Sequence, residues 1–298
     1  MLGYSVLMAV YYKEKSDWLR ISLDSIFAQT YVPSEVVIVK DGPLNDELDS
    51  VLDEYEDTYK EKIKIVALPE NGGLGKALAA GLKVCTNEYI VRADTDDYSK
   101  PDRVEKQLKA MEAHSADVIS CYVSEFDRDM EHPDKIKAVP VTHEEIMKYG
   151  RRRNPFNHPA VVFRKSRAVH AGGYRHAPWI EDYDLWIRML MDGSRGYNLE
   201  EPLVCMRVNS DTYMRRGGRE YLKSMKAFNR KYYKVFICRL YGKDISQYSG
   251  GSFHEQAQGH NIQEVLKETK HIRICKGYQY MVISRKWLYM PLTHFIDS

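Results

Sequence analysis

The chain has 298 residues, room for one large α/β domain or for a domain with an appendage. Its 44% hydrophobic content, 29% charged content and formal net charge of +2 are those of an ordinary globular protein, and no nucleic-acid partner is expected. No stretch approaches the ~20 apolar residues of a membrane span, and five scattered cysteines without a Cys-x-x-Cys pair argue against a disulfide framework or a structural zinc site.

Tyr4–Val10 is a short apolar run and predicts a buried strand. The chain enters it at once, without a basic n-region or cleavage site, so a cytoplasmic protein is expected. Ser16-Asp17 can cap a helix on which Leu19, Leu23, Ile26 and Phe27 share a face. Val36–Val39 predicts a second strand, closed by the turn Lys40-Asp41-Gly42-Pro43. An acidic helix over Asp46 to Tyr59 follows, then a third strand at Ile63–Leu68, the segment Asn71-Gly72-Gly73-Leu74-Gly75-Lys76, and a helix carrying Leu78, Leu82 and Val84. Tyr89–Ala93 predicts the fourth strand and runs into Asp94-Thr95-Asp96-Asp97.

This alternation predicts a mostly parallel sheet with helices on both faces. Ligands of such sheets sit beyond the C-terminal strand ends, where Tyr11, Asp41, the glycine segment and the acidic turn all fall. Beyond the fourth strand the pattern predicts a helix over Pro101 to His114, a strand at Asp117–Val123 and a charged loop over Glu125 to Lys137. It goes on to a strand at Ala160–Phe163, an amphipathic helix over Glu181 to Met191 and a strand at Leu203–Val208. A long basic helix over Arg219 to Leu240 is expected, since Glu220 is the only acid between Arg215 and Arg239.

Three carboxylates within four residues repel one another, so Asp94, Asp96 and Asp97 call for a cation or good solvation. Oxygen ligands at a strand end suit Mg²⁺ or Mn²⁺, which commonly bridges to a diphosphate. An acidic turn without a metal is the plain alternative. The amides about Gly73 can approach phosphates with Lys76 adding charge, although a tight turn opening the next helix explains the segment equally well. Its pattern is neither a Walker loop nor a dinucleotide fingerprint.

Glu181, Asp182 and Asp184 lie in a first helical turn, where the helix dipole favours negative charge. Trp179 and Trp186 flank them. Aromatic planes beside carboxylates are typical of carbohydrate pockets, and a carboxylate there can act as general base. His158 is a candidate substrate ligand or a structural hydrogen-bonding residue. Arg215-Arg216-Gly217-Gly218 is a candidate basic loop over a diphosphate, or a linker.

Taken in order, these segments resemble the family 2 glycosyltransferases of GT-A fold. The resemblance rests on Val6 to Tyr11, Ser22 to Thr30, Lys40-Asp41-Gly42, Asn71 to Gly75, Asp94 to Asp97, Asn157-His158-Pro159 and Glu181 to Trp186. It implies a Rossmann-like, mixed, mainly parallel sheet flanked by helices, a catalytic domain over residues 1–215 and a basic helical extension over 216–298. It implies that Tyr11 and Asp41 hold the nucleotide base and that Asp94 contacts ribose or metal. Asp96 would ligate a divalent ion, Mn²⁺ or Mg²⁺, with Asp97 in support. Asp182 would be the catalytic base and Glu181 a sugar contact. The implied reaction is inverting transfer of one sugar from a nucleotide-sugar, a UDP-hexose or UDP-N-acetylhexosamine, to a saccharide or lipid-linked acceptor. The Gln-x-x-Arg-Trp motif of processive synthases is absent. A lipid-linked acceptor would give the basic C-terminal region a peripheral membrane role. A non-catalytic nucleotide-sugar-binding protein and a sugar nucleotidyltransferase are the rival readings.

Overall fold

The computed structural model describes residues 3–208 and 221–228, Tyr232, and three short segments at 272–274, 281–283 and 286–288. Two compact units divide the chain, Met1–Phe236 and Ile237–Ser298. The first opens as expected: β1 (Tyr4–Val10), α1 (Ser16–Phe27), β2 (Glu35–Lys40), α2 (Asp46–Thr58), β3 (Ile63–Ala67), α3 (Leu74–Val84) and β4 (Tyr89–Arg92). The strands β3, β2, β1 and β4 are neighbours in that order, all parallel. The residues of β1, β2 and β4 are mostly buried on both faces, which is why each reads as an apolar run rather than an alternation, while β3 at the sheet edge is only half-buried. One core lies on the α3 side, with Leu7, Val37, Val39, Leu78 and Leu82; the other lies on the α1 and α2 side, with Met8, Leu19, Leu23, Ile38 and Leu52.

Past β4 the sheet becomes mixed. The short β5 (Tyr98–Ser99) precedes α4 (Arg103–Ala113), β6 (Val118–Phe126), β7 (Lys135–Lys137) and α5 (His143–Tyr149). Then come β8 (Val162–Arg164), α6 (Lys165–His170), α7 (Glu181–Met191) and β9 (Gly196–Arg207). β8 runs antiparallel to both β4 and β6, and β9 runs parallel to β6. Three segments differ from expectation. The strand expected from Ala160 starts later, because Pro159 lacks an N–H and its fixed φ suits the single 3₁₀ turn His158–Ala160. The loop expected over Glu125 to Lys137 contains β7, paired with β6 through Val123, Ser124 and Glu125. The last strand begins at Gly196 rather than Leu203.

The expected boundary at 215 also moves. The helix at 221–228, here α8, belongs to the first unit, because Phe228 and Tyr232 are buried in its core. In the second unit the described residues are strands, β10 (Ile272–Ile274), β11 (Met281–Ile283) and β12 (Lys286–Leu288), in one antiparallel sheet. The extension is therefore not wholly helical: β-branched and aromatic residues such as Ile272, Val282 and Trp287 favour a pleated surface. No helix among the described residues is long and apolar enough to cross a membrane.

Candidate active site

The C-terminal ends of the parallel strands carry Tyr11 after β1, Asp41 after β2, the glycine segment after β3 and the acidic turn after β4. Asp41 is buried, and its two carboxylate oxygens accept from the Gly72 N–H at 2.8 Å and the Gly73 N–H at 3.0 Å. Of the two readings of this segment, phosphate approach and a tight turn opening the next helix, these bonds describe the turn, whose loop Asp41 shapes. Gly73 has φ of +87°, a left-handed conformation that side-chain-bearing residues rarely adopt. Lys76 is exposed in the first turn of α3. Gly75 serves a close approach: a Cβ there would stand 2.5 Å from the Arg175 carbonyl oxygen and 3.2 Å from the Glu181 Cβ. The start of α3 is thereby docked against the segment leading into α7, which joins two motifs far apart in sequence.

At the acidic turn the centre is Arg92, whose side chain is fully buried. It pairs with Asp94, donates to the Ala93 carbonyl and donates to the Leu7 carbonyl at 3.2 Å. Arg103 Nη2 donates to the Arg92 carbonyl at 2.8 Å, and Ser22 Oγ donates to the Asp94 carbonyl at 2.7 Å, so the turn is tied to α4 and α1. Burial, reinforced by the Asp94 charge, pushes Asp96 up to about 6. Asp97 is more deeply buried, and burial with the charges of Asp96 and Asp94 drives it well above the usual carboxylate range.

No group of three His, Cys, Asp or Glu side chains among the described residues is disposed to hold a cation. The expected trio is divided because Asp97 turns inward, accepting from the Arg207 N–H at 2.9 Å, while Asp94 pairs with Arg92. The turn nonetheless fits a cation shared with a ligand. Asp97 Oδ2 is buried with no hydrogen-bond partner, and Asp96 holds its proton too tightly for an exposed carboxylate; added positive charge relieves both.

The second acidic site opens α7. The Asp182 side chain is 15% exposed, its Oδ2 accepts from Asn154 Nδ2 at 2.5 Å, and His158 Nδ1 lies 4.0 Å away. Burial raises its pKa, opposed by N–H donation from Tyr183 and Asn154. The His158 side chain is 11% exposed and lies 3.2 Å from the Tyr174 hydroxyl, and desolvation holds its imidazole well below the ordinary range, hence neutral at pH 7. The Arg92 charge acts on Asp96 and Asp97 and also on Glu181, His158 and Tyr174, and the Asp94 charge acts on Glu181 and Tyr174, so the two acidic sites are neighbours about it.

Two expected contributors take structural roles instead. Trp186 has no exposure and packs among Phe163, Phe156, Tyr174 and His158, so it offers no face to a sugar. Asp184 accepts from Arg188 Nε at 2.9 Å and from the Tyr232 hydroxyl at 2.7 Å, which anchors the α8 region to α7. Trp179 remains available: it is 47% exposed and held at φ of +74°, a strained conformation for an aromatic residue of the kind that clusters at ligand sites. Arg215 and Arg216 lie outside the described residues. Sequence reading missed Arg92, Asn154 and Tyr174. The signal for Arg92 was present, since a cation inside an apolar strand needs a counter-charge and Asp94 is two residues on, the strand repeat.

Burial, with the Asp182 charge, pushes Glu181 up to about 7. A carboxyl raised on folding binds more protons in the native state, so stability falls as pH rises from the ordinary glutamate range toward 7. Glu181→Gln is expected to flatten that fall and to make the protein more stable than wild type at pH 8, by on the order of 2 kcal/mol. Urea unfolding of both proteins at pH 5 and pH 8 measures it; equal pH slopes contradict the account of Glu181.

A parallel Rossmann-like half, a mixed second half, an acidic turn at a strand end and a half-buried acidic pair at the start of α7 define an α/β fold of GT-A type. The model of glycosyl transferase family 2 matches residues 5–172. Amylovoran biosynthesis glycosyltransferase AmsE of Erwinia amylovora is 41% identical over 223 residues, spanning 74% of this chain and 82% of that protein. The UDP-Gal:alpha-D-GlcNAc-diphosphoundecaprenol beta-1,3-galactosyltransferase of Escherichia coli is 40% identical over 219 residues, 73% of this chain and 78% of the relative. Among solved structures, a mannosyltransferase from Pyrobaculum calidifontis in complex with GDP-Man and Mn²⁺ shares the fold, with a TM-score of 0.61 at 16% identity over 90% of this chain and 79% of the other. The chain belongs to glycosyltransferase family 2 and is a glycosyltransferase. The readings as nucleotidyltransferase or non-catalytic binder give way.

Proposed function

We propose that this enzyme transfers a single sugar from a UDP-sugar to a lipid-linked saccharide, with inversion at the anomeric carbon, in the building of a surface polysaccharide. The observation that carries the reading is Asp182, largely desolvated at the start of α7, raised in pKa and oriented by Asn154, next to Glu181, on which the Arg92 and Asp94 charges act. A carboxylate so placed is a stronger base than an exposed one and stands ready to take a proton from an acceptor hydroxyl. That hydroxyl oxygen attacks the anomeric carbon as the bond to the diphosphate breaks, and the proton passes to Asp182. The names of the two relatives, one in amylovoran biosynthesis and one acting on a GlcNAc-diphospholipid, support the acceptor class.

Asp94 and Asp96 would hold Mn²⁺ or Mg²⁺, which supplies charge neutralisation for the departing diphosphate. Tyr11 and Asp41 border the base-binding corner, with Gly73 and Lys76 beside it. Exposed Trp179 offers a stacking face to a sugar, with Glu181 and His158 as polar contacts. Contact of the C-terminal region with a membrane gains no support from the described residues.

Thermal unfolding with UDP-glucose, UDP-galactose and UDP-N-acetylglucosamine, each with and without Mn²⁺, tests the donor site. A matching donor at ~100 times its Kd stabilises by about 2.7 kcal/mol, a shift of several degrees in Tm that is expected only with the metal. If no UDP-sugar raises Tm in the presence of Mn²⁺, the donor assignment is wrong.

A further inference from the structure

The run Arg151-Arg152-Arg153 has no part in the chemistry described so far, yet the fold fixes it beside the base. The N–H groups of Arg152 and Arg153 donate to the Tyr149 carbonyl at 3.0 and 3.1 Å, closing a turn at the end of α5. Two bonds fasten that turn to the start of α7: the Tyr183 hydroxyl donates to the Gly150 carbonyl at 2.8 Å, and Asn154 Nδ2 donates to Asp182 Oδ2 at 2.5 Å. Arg153 directly precedes Asn154, so their Cα atoms stand about 3.8 Å apart. An arginine side chain rooted there reaches an anion one sugar ring away from a hydroxyl held at Asp182.

The surroundings are basic. Lys148, Arg152 and Arg153 are exposed and Arg151 is partly so. Arg151 Nε donates to the Lys148 carbonyl at 3.0 Å. No ion pair of Arg151 or Arg153 with a carboxylate occurs among the described residues. Lys137, at the end of β7, adds a charge that acts on Asp182 itself. A turn that existed only to cap α5 has no need of both Arg151 and Arg153, whose mutual repulsion an anion relieves. Guanidinium forks match phosphate oxygens in bidentate geometry, which makes arginine the residue of choice for such a ligand. The donor diphosphate is expected at the acidic turn after β4, whereas this basic turn follows α5 and is tied to the start of α7, so it is assigned a different anion.

We propose that the turn at 149–154 is a subsite for a diphosphate on the acceptor, joined to the anomeric carbon of the sugar whose hydroxyl reacts, with Arg151 and Arg153 as its ligands. The proposal rests on the reading of Asp182 as base to a lipid-linked acceptor, and makes the acceptor's anion, rather than its lipid, the recognised feature.

The test compares two soluble acceptors with the same short alkyl chain, N-acetylglucosaminyl α-diphosphate and the neutral α-N-acetylglucosaminide, using the three UDP-sugars above with Mn²⁺. Wild-type enzyme is expected to prefer the diphosphate by at least about tenfold in kcat/KM, and Arg151→Ser/Arg153→Ser to lose most of that preference through acceptor KM. The Arg→Lys double variant is expected to keep part of it. Raising the salt concentration should erode it, as for any exposed ion pairing. Because both acceptors are soluble, such an effect is not attraction to an anionic bilayer. Equal kcat/KM for the two acceptors, or an undiminished preference in the serine variant, overturns this inference and leaves the glycosyltransfer reading standing. Transfer to neither acceptor with any of the donors overturns the parent reading and this one with it.

Discussion

Replacing Asp182 by asparagine is expected to lower kcat by a factor of about 10²–10⁴, the range of a lost general base, with donor KM close to wild type. Asparagine keeps the shape of the side chain and can still accept from Asn154, so the start of α7 should hold its geometry. What disappears is the proton affinity that burial raises. The same argument gives the variant a second signature. An ionised carboxylate in that environment costs free energy, so Asp182→Asn should unfold at a urea concentration at least as high as wild type. A fall in activity with stability retained or raised is the pattern of a functional group held against its own electrostatic preference. If kcat is unchanged, the proton goes elsewhere and Asp182 is not the base.

Arg92→Met is expected to cost about 1–3 kcal/mol of stability, the range for leaving buried polar groups short of a partner, since Asp94 is 31% exposed and can turn to water, and to weaken donor binding. The guanidinium serves the Leu7 carbonyl on β1, the Ala93 carbonyl and the Asp94 carboxylate from a position with no exposure. Methionine fills much of the volume but takes the guanidinium from all three, leaving the Leu7 carbonyl only the longer bond from the Ala93 N–H at 3.3 Å. Asp94 then loses the charge that counters its neighbours Asp96 and Asp97, so the turn should loosen where the donor is expected. Arg92→Lys should recover part of the stability, since a single ammonium cannot meet both carbonyls and the carboxylate in fork geometry. Urea unfolding together with donor KM checks this; wild-type values of both in Arg92→Met would remove Arg92 from the centre of the site.

The legible part of this protein was its first half and the ends of its strands. From β1 to β4 the expected segments agree closely with those observed, because the strands are apolar runs bounded by polar residues or by glycine, proline or acidic turns. The start of α7 at Glu181 was equally plain, with acids in its first turn and an apolar stripe behind. Other elements carried weaker marks. The helix α5 was passed over although Thr142 and Glu145 form a capping box, since only Ile146 of its seven residues is buried and no apolar stripe draws attention to it. The short strands β5 and β7 have too few residues for a pattern and exist only through pairing with β9 and β6.

The residue types needed for the chemistry, and their placement at strand and helix ends, were determined by the sequence alone, because turn residues and hydrophobic period act locally. The division of labour among them was decided only by the tertiary structure. Asp184 and Trp186 share a helix with Asp182, yet one is bound to Arg188 and Tyr232 and the other is sealed in the core. Asp97 sits in the same turn as Asp96 and faces inward. Whether a carboxylate serves as base, cation ligand or structural anchor depends on desolvation and on which distant charges surround it. Those are set by contacts such as Arg92 with Leu7 and Asn154 with Asp182, which join parts of the chain far apart in sequence.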